Sequence, residues 1–291
     1  MLTRLVQGHL YQFRSMASPC EVHIETNDQD IALRLGRLAE AEATRVEYKY
    51  SRYRDDSLLS AINASNGQSL PVDEETAALL DYASNCYALS DGRFDVTSGI
   101  LRKVWRFDGS DRLPSKASVR ELLPFVGWNK ITWRSPIIQI PPGMEIDFGG
   151  IGKEYAVDRA IEIIEAASDV PVLVNFGGDL RASKLRADGT RWRVDIESVD
   201  RSGPSGAHLE IGAGALTTSG DARRYLLKDG VRYSHILDPR TGWPVKDPPR
   251  SVTVAATTCL EAGVLSTVAM LHGRGAERFL RREGIKAWWV R

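Results

Sequence analysis

The chain has 291 residues, with 38 Lys and Arg against 38 Asp and Glu, so it carries no net formal charge. That balance excludes a protein that works by neutralising the phosphates of a nucleic acid, or by lying on an anionic membrane through a polybasic face. At 43% apolar and 26% charged the composition is that of a globular chain, long enough to bury about 75% of its unfolded surface in one large domain or two smaller ones.

The three cysteines, Cys20, Cys86 and Cys259, are widely spaced and odd in number. They fit neither a CxxC metal pair nor a disulfide framework and point to reduced thiols. No apolar run reaches the roughly 18 residues of a membrane span, and Met1 to Arg14 lacks the apolar stretch of a signal peptide. The expectation is a cytoplasmic protein, or a periplasmic one if a leader has been removed.

In chain order, residues 20–26 alternate Val22 and Ile24 with polar side chains, a strand pattern. Ile31, Leu35 and Leu38 recur at helical spacing over residues 30–48. Asp73 is a good N-cap, with Glu74 and Glu75 in the first turn and a stripe of Thr76, Leu79, Leu80, Ala83 and Tyr87 behind it. A short helix after Pro114, a strand around Ile131 and a strand over 137–140 follow. A helix after the glycine-rich 147–153 stretch puts Val157, Ala160, Ile161 and Ile164 on one face. Strands are predicted over 172–175, 192–197, 209–211, 215–217, 251–256 and 287–290, with helices over 262–271 and 275–283. Strand runs followed by helix runs predict an α+β fold. A subdomain boundary is possible near 140–150, although no linker marks it.

Seven stretches carry candidate chemistry. Residues 146–158, IDFGGIGKEYAVD, place glycines before a helix, so that backbone N–H groups face an anion and Lys153 adds a cation; the plain alternative is a tight strand-to-helix turn. VNFGGD, 175–179 with Val174, reads as close ligand approach or as a β-turn with Asp179 as its hydrogen-bonding residue. LTTSGD, 216–221, offers hydroxyls to a phosphate, or a helix N-cap through Ser219 or Asp221. YSHILDPRTGWPV, 233–245, sets His235 beside a turn. In GRFDVTSGILRKVWRF, 92–107, Asp95 and Thr97 share one side of an extended segment. YSRYRDDSLLSAIN, 50–63, is a loop with Ser57 capping a short helix. The five Lys and Arg of 181–193 read as a solvated hairpin. Spacing alone stops at a phosphate-containing ligand held by glycine-rich loops.

Taken together and in order, these pieces, with Met16-Ala-Ser at the start and SVTVAA…AGVLSTVAMLHG at the end, resemble the ApbE family of FAD:protein FMN transferases over roughly Phe13 to Gly273. The resemblance implies a T-fold-like α+β architecture over residues 1–291, with FAD in a cleft between α/β layers. It implies Mg²⁺-assisted transfer of the FMN half of FAD onto a Thr or Ser hydroxyl of a flavin-acceptor protein, with AMP leaving; some members hydrolyse FAD instead. By position, Met16, Tyr53, Asp95, Thr97, Lys153, Thr218, Ser219 and His235 correspond to flavin-nucleotide contacts. The Gly150 carbonyl and Thr267 correspond to Mg²⁺ ligands. His235 and Asp95 are rival proton acceptors for the incoming hydroxyl.

Two positions depart from the family pattern. Its C-terminal motif, Ala-Asp-Ala-Leu-x-Thr, reads here Ala262-Gly263-Val264-Leu265-Ser266-Thr267, so Gly263 stands where the family has a metal-binding Asp. Glu261, Asp147 and Asp179 are candidate replacements. Glu154 stands where the family commonly has Gly, adding bulk and negative charge near the phosphate site. The rival readings are accordingly an FAD-binding protein without transferase activity and an FAD pyrophosphatase.

Overall fold

The computed structural model describes residues 1–196, 208–221 and 224–291. Eight strands form one sheet: β1 Leu2–Arg4, β2 His9–Ser15, β3 Ser18–Ile24, β4 Val172–Phe176, β5 Asp179–Ala182, β6 Gly214–Gly220, β7 Ser251–Ala256 and β8 Ala287–Val290. Their order in space is their order in the chain, and each neighbouring pair is antiparallel. The β2–β3 and β4–β5 connections are two-residue turns, whereas those that carry the helices are long. The chain between β3 and β4 carries helices α1 Gln29–Tyr50, α2 Leu58–Asn63, α3 Glu74–Leu89, α4 Lys116–Leu122 and α5 Gly152–Ala167. Helices α6 Cys259–Leu271 and α7 Ala276–Arg282 lie between β7 and β8. This is the expected α+β arrangement.

The sheet is buried on both faces over its centre. On one face α1, α5 and α6 pack with Ala32, Leu35, Ala39, Ala160, Ile161 and Ile164 against Val22, Ile24, Val172, Val174 and Phe176. Leu173 of the same strand points to the opposite face, joining Leu180 and Leu216 beneath Trp192 and Ile211. Those last two come from the hairpin Trp192–Asp195/His208–Ile211. The strand over 192–197 therefore ends earlier than expected, and Glu197 lies outside the described residues. A separate cluster joins Ile100, Leu101, Trp105, Val119 and Leu226 to Tyr233, Leu237 and Trp243. It ties the 92–107 stretch to the 233–245 stretch.

Local chemistry sets the helix starts. Asp28 accepts from the N–H groups of Asp30 and Ile31, and Asp73 from that of Thr76. Thr258 caps α6 through Glu261, so this helix begins three residues before the apolar pattern suggests. Gly36 is required by packing: a Cβ there would stand 2.2 Å from the Tyr11 ring. The basic 181–193 stretch is not simply solvated. Arg181 lies on β5 and pairs with buried Asp158, and Arg186 pairs with Glu25.

Candidate functional site

The glycine-rich loop before α5 is held by two other motif stretches. Asn63, at the end of α2, donates to the Ile146 carbonyl at 2.9 Å and accepts from the Ile146 N–H at 2.8 Å. The Asp147 N–H donates to Val96 of the 92–107 stretch at 2.8 Å. The Asp147 carboxylate accepts from the Gly149 N–H and pairs with Arg52. Gly99 comes so near that a Cβ on it would touch this carboxylate at 2.6 Å. Sequence stretches 50–63, 92–107 and 146–158 thus form one support. The helix that follows starts at Gly152 with Ile151 in the cap position and no side-chain cap, unlike α1, α2, α3, α4 and α6. The Gly152 N–H donates to the Phe148 carbonyl at 2.6 Å, so the amides that follow it and the positive end of the dipole are what the helix can offer an anion.

Lys153 sits in that first turn. Its Nζ meets the buried Asp179 Oδ2 at 2.5 Å. Burial opposes the ammonium charge, but Asp179 and Glu154 outweigh it and hold Lys153 above the usual lysine range. Asp179 follows a two-residue hairpin turn, Gly177-Gly178, in which both residues have positive φ (63° and 102°). The turn's hydrogen-bonding side chain is Asn175, which accepts from the Gly178 N–H at 2.9 Å, and not Asp179. A Cβ on Gly177 would lie 2.8 Å from Ser18 Oγ and 3.4 Å from Lys153 Nζ. Ser18 ends the neighbouring hairpin turn, whose central residues Met16 and Ala17 also have positive φ. Met16, Lys153 and Asp179 therefore share one end of the sheet.

The LTTSGD stretch is strand, not a helix N-cap: residues 214–220 are β6. Its alternation divides the hydroxyls. Ser219 faces α6 and shares hydrogen bonds with Ser266 (2.8 Å) and Thr267 (2.9 Å). Thr218, one residue earlier, points to the other face and pairs with Thr253 across the strands. Thr217, on the α6 side, is buried with its Oγ1 unpaired.

Glu154, beside Lys153, is directed into the same interior. A Cβ built on Gly263 would lie 2.6 Å from Glu154 Cγ and 3.1 Å from both its Cδ and its Oε1. The carboxylate thus fills the space above the residue that has no side chain. Glu154 Oε2 is buried and has no hydrogen-bond partner. Burial, reinforced by the nearby Asp179, pushes this carboxyl up to about 8.

Other expected site residues have different surroundings. Both Asp95 oxygens are engaged: Oδ1 accepts from the Thr97 N–H (2.8 Å) and hydroxyl (2.6 Å), and Oδ2 from the Trp128 N–H (3.1 Å). Thr97 in turn accepts from the Gly127 N–H at 2.7 Å. Burial raises the Asp95 carboxyl against these three donors. His235 follows the hairpin strand Val231–Ser234 and packs edge-on against Phe107, in the aromatic group of Trp105, Phe107 and Trp243. Its Nδ1 contacts the Arg224 carbonyl at 3.1 Å. A carbonyl only accepts, so Nδ1 carries the proton and Nε2 is the acceptor nitrogen. Burial holds this imidazole below its usual range. Tyr53 is 80% exposed, its ring stacked by Arg52, the residue that grips the glycine loop.

The ApbE family model matches residues 16–289. The chain belongs to the ApbE family. It is 30% identical over 289 residues to the FAD:protein FMN transferase of Salmonella typhimurium, covering 95% of this chain and 82% of that protein. To the FAD:protein FMN transferase of Vibrio cholerae it is 33% identical over 235 residues, covering 78% and 70%. The crystal structure of the ApbE protein from Thermotoga maritima superposes with a TM-score of 0.87 at 28% identity, covering 97% of this chain and 93% of that one. The apo flavinyl transferase ApbE of Pseudomonas stutzeri gives 0.85 at 30% identity, covering 99% and 93%.

The ApbE resemblance implies Mg²⁺, and the donors here suit a hard cation. They are oxygens: the Gly150 carbonyl, the Thr267 hydroxyl and the unpaired Glu154 carboxylate oxygen. Among the described residues no three His, Cys, Asp or Glu side chains gather to hold a metal by themselves. Of the candidate replacements for the family Asp, Glu261 is exposed, Asp147 is taken by Arg52, and Asp179 by Lys153. Glu154, which in sequence reads as an obstacle beside the phosphate site, is the acid that stands against Gly263.

Proposed function

We propose that this chain is an FAD:protein FMN transferase, moving FMN from FAD onto a Thr or Ser hydroxyl of an acceptor protein, with AMP as the leaving group. One observation carries the reading: family motifs far apart in the chain, at Met16–Ser18, 50–63, 92–107, Gly177–Asp179 and Gly263, meet at the glycine loop, Lys153 and Glu154 that form the uncapped start of α5. In this reading the α5 amides and Lys153 receive the pyrophosphate. Met16 lies at the same sheet end, and the exposed Tyr53 ring is available to stack on flavin or adenine. His235, with Nδ1 fixed as donor, uses Nε2 to take the proton of the incoming hydroxyl. Asp95, its oxygens already occupied, positions the 95–97 segment and the 127–128 turn. Mg²⁺, when bound, neutralises charge on the phosphates, and Gly150, Thr267 and Glu154 would hold it.

The reading without transferase activity rests on the lost carboxylate at Gly263. A carboxylate, that of Glu154, stands in that space, which favours the transferase. The test is incubation with FAD, Mg²⁺ and a flavin-acceptor protein. Covalent flavin fluorescence on a denaturing gel is expected. AMP release that is equal with and without acceptor, and no labelled protein, would identify a pyrophosphatase instead.

A further inference from the structure

We propose that Glu154 and Gly263 are a single exchange, in which the carboxylate missing from α6 is supplied by α5 and Glu154 Oε2 is the protein's carboxylate ligand to a divalent cation bound with the nucleotide. This rests on the site being a nucleotide pyrophosphate site, as read above.

Three observations carry it. The space is shared: a side chain beginning at Gly263 would run into the Glu154 stem at 2.6 Å, so one carboxylate fits there and two do not. The Glu154 head is also unpaired. Oε2 is buried without a hydrogen-bond partner, an arrangement that costs free energy unless a ligand completes it. Finally, the surroundings are rich in oxygen. Thr267 lies one helical turn beyond Gly263 on the same face of α6, and its hydroxyl and that of Ser266 meet Ser219. The charges facing Glu154 are those of Lys153, Asp179 and Asp158. Lys153 and Asp179 are bound to each other, and Asp158 holds Arg181 and the first N–H groups of α6. Glu154 feels Lys153 without a direct ion pair, and its Oε2 is the oxygen of this group left without a hydrogen-bond partner.

The experiment is a titration of the whole protein with Mn²⁺ in the presence of FAD, following the free-ion electron paramagnetic resonance signal, with thermal melts of each variant. The native chain is expected to bind Mn²⁺. Glu154→Gln, which keeps the volume, is expected to weaken binding at least about tenfold with the fold retained. Gly263→Asp alone is expected to lower the melting temperature, because its Cβ meets the Glu154 stem. Glu154→Gly with Gly263→Asp is expected to relieve that loss and to return Mn²⁺ affinity to within about threefold of native. Native Mn²⁺ affinity in Glu154→Gln, no Mn²⁺ binding by FAD-loaded native protein, or a folded double variant that fails to recover would each overturn the proposal. Flavin transfer is scored separately. Transfer with Glu154→Gln binding metal normally sinks the exchange and spares the function. Metal binding through Glu154 without transfer sinks the function and spares the exchange.

Discussion

Asn63 and Ile146 exchange a matched pair of hydrogen bonds, at 2.9 and 2.8 Å, across 83 residues of chain. The side-chain amide acts as a strand edge would, satisfying both backbone groups of a residue that is 1% exposed. Asn63→Ala orphans both groups and should cost about 2–4 kcal/mol in denaturant unfolding. Because Ile146 leads directly into the glycine loop, the KM for FAD should rise more than kcat falls. Asn63→Asp keeps the acceptor and loses the donor, and should fall between the two.

His235 gives a pH signature. Its imidazole lies below the usual range, first through burial, so as pH falls the base is protonated only below the normal histidine pKa. The acid limb of kcat/KM for flavin transfer should therefore fall below about 6.5, with full activity above it. His235→Asn should remove that limb and lower kcat by about 10²–10⁴. A profile that kept its acid limb in the variant would assign the base elsewhere.

Asp95 should behave oppositely. Asp95→Asn disturbs a buried acceptor of three hydrogen bonds and should destabilise by about 1–3 kcal/mol, read from the melting temperature. The acid limb of the transfer profile should stay where it is in native protein, since the residue acts through the backbone it holds.

Asp158 joins two helices and a strand. It caps α6 from outside by accepting from the Cys259 and Leu260 N–H groups at 2.8 and 2.9 Å, and it pairs with Arg181 of β5 at 2.8 Å. Asp158→Ala removes the cap and strands a mostly buried guanidinium. A loss of about 3 kcal/mol is expected from chemical denaturation. Asp158→Asn can keep one cap bond and should lose less.

The helices were legible because their signals are local: Ser57 and Asp73 cap where the sequence places them, and Asp28 and Ser115 cap α1 and α4 in the same way in the structure. Strands β1 and β2 were not. Strand β2 buries His9 and Tyr11, polar residue types that hide the alternation, and His9 is satisfied by the Thr26 carbonyl 17 residues away. The hairpin Tyr225–Lys228/Val231–Ser234 turns on Asp229-Gly230, both at positive φ, a turn signal flanked by strands with too little apolar alternation to stand out. At the site, Lys153 and Met16 were legible as motif positions. Their shared end of the sheet was not, because it follows from the pairing of β3 with β4. Glu154 and Gly263 each read as a defect alone; only the approach of α5 to α6 makes them complementary.

The direct pairing of β3 with β4 has a consequence for synthesis. Cys20 lies opposite Phe176, so the N-terminal hairpin leaves the ribosome long before the strand that covers its inner edge. Until then Val22 and Ile24 belong to an open strand edge, the kind of surface that captures other chains. Closing so long a loop costs little more than closing one half its length, about 0.6 kcal/mol per doubling. The burden is one of waiting. Nascent chains of this protein are most exposed to mispairing during elongation from Glu25 to Pro171, and the contacts of Lys153 with the β4–β5 turn form only after that interval ends.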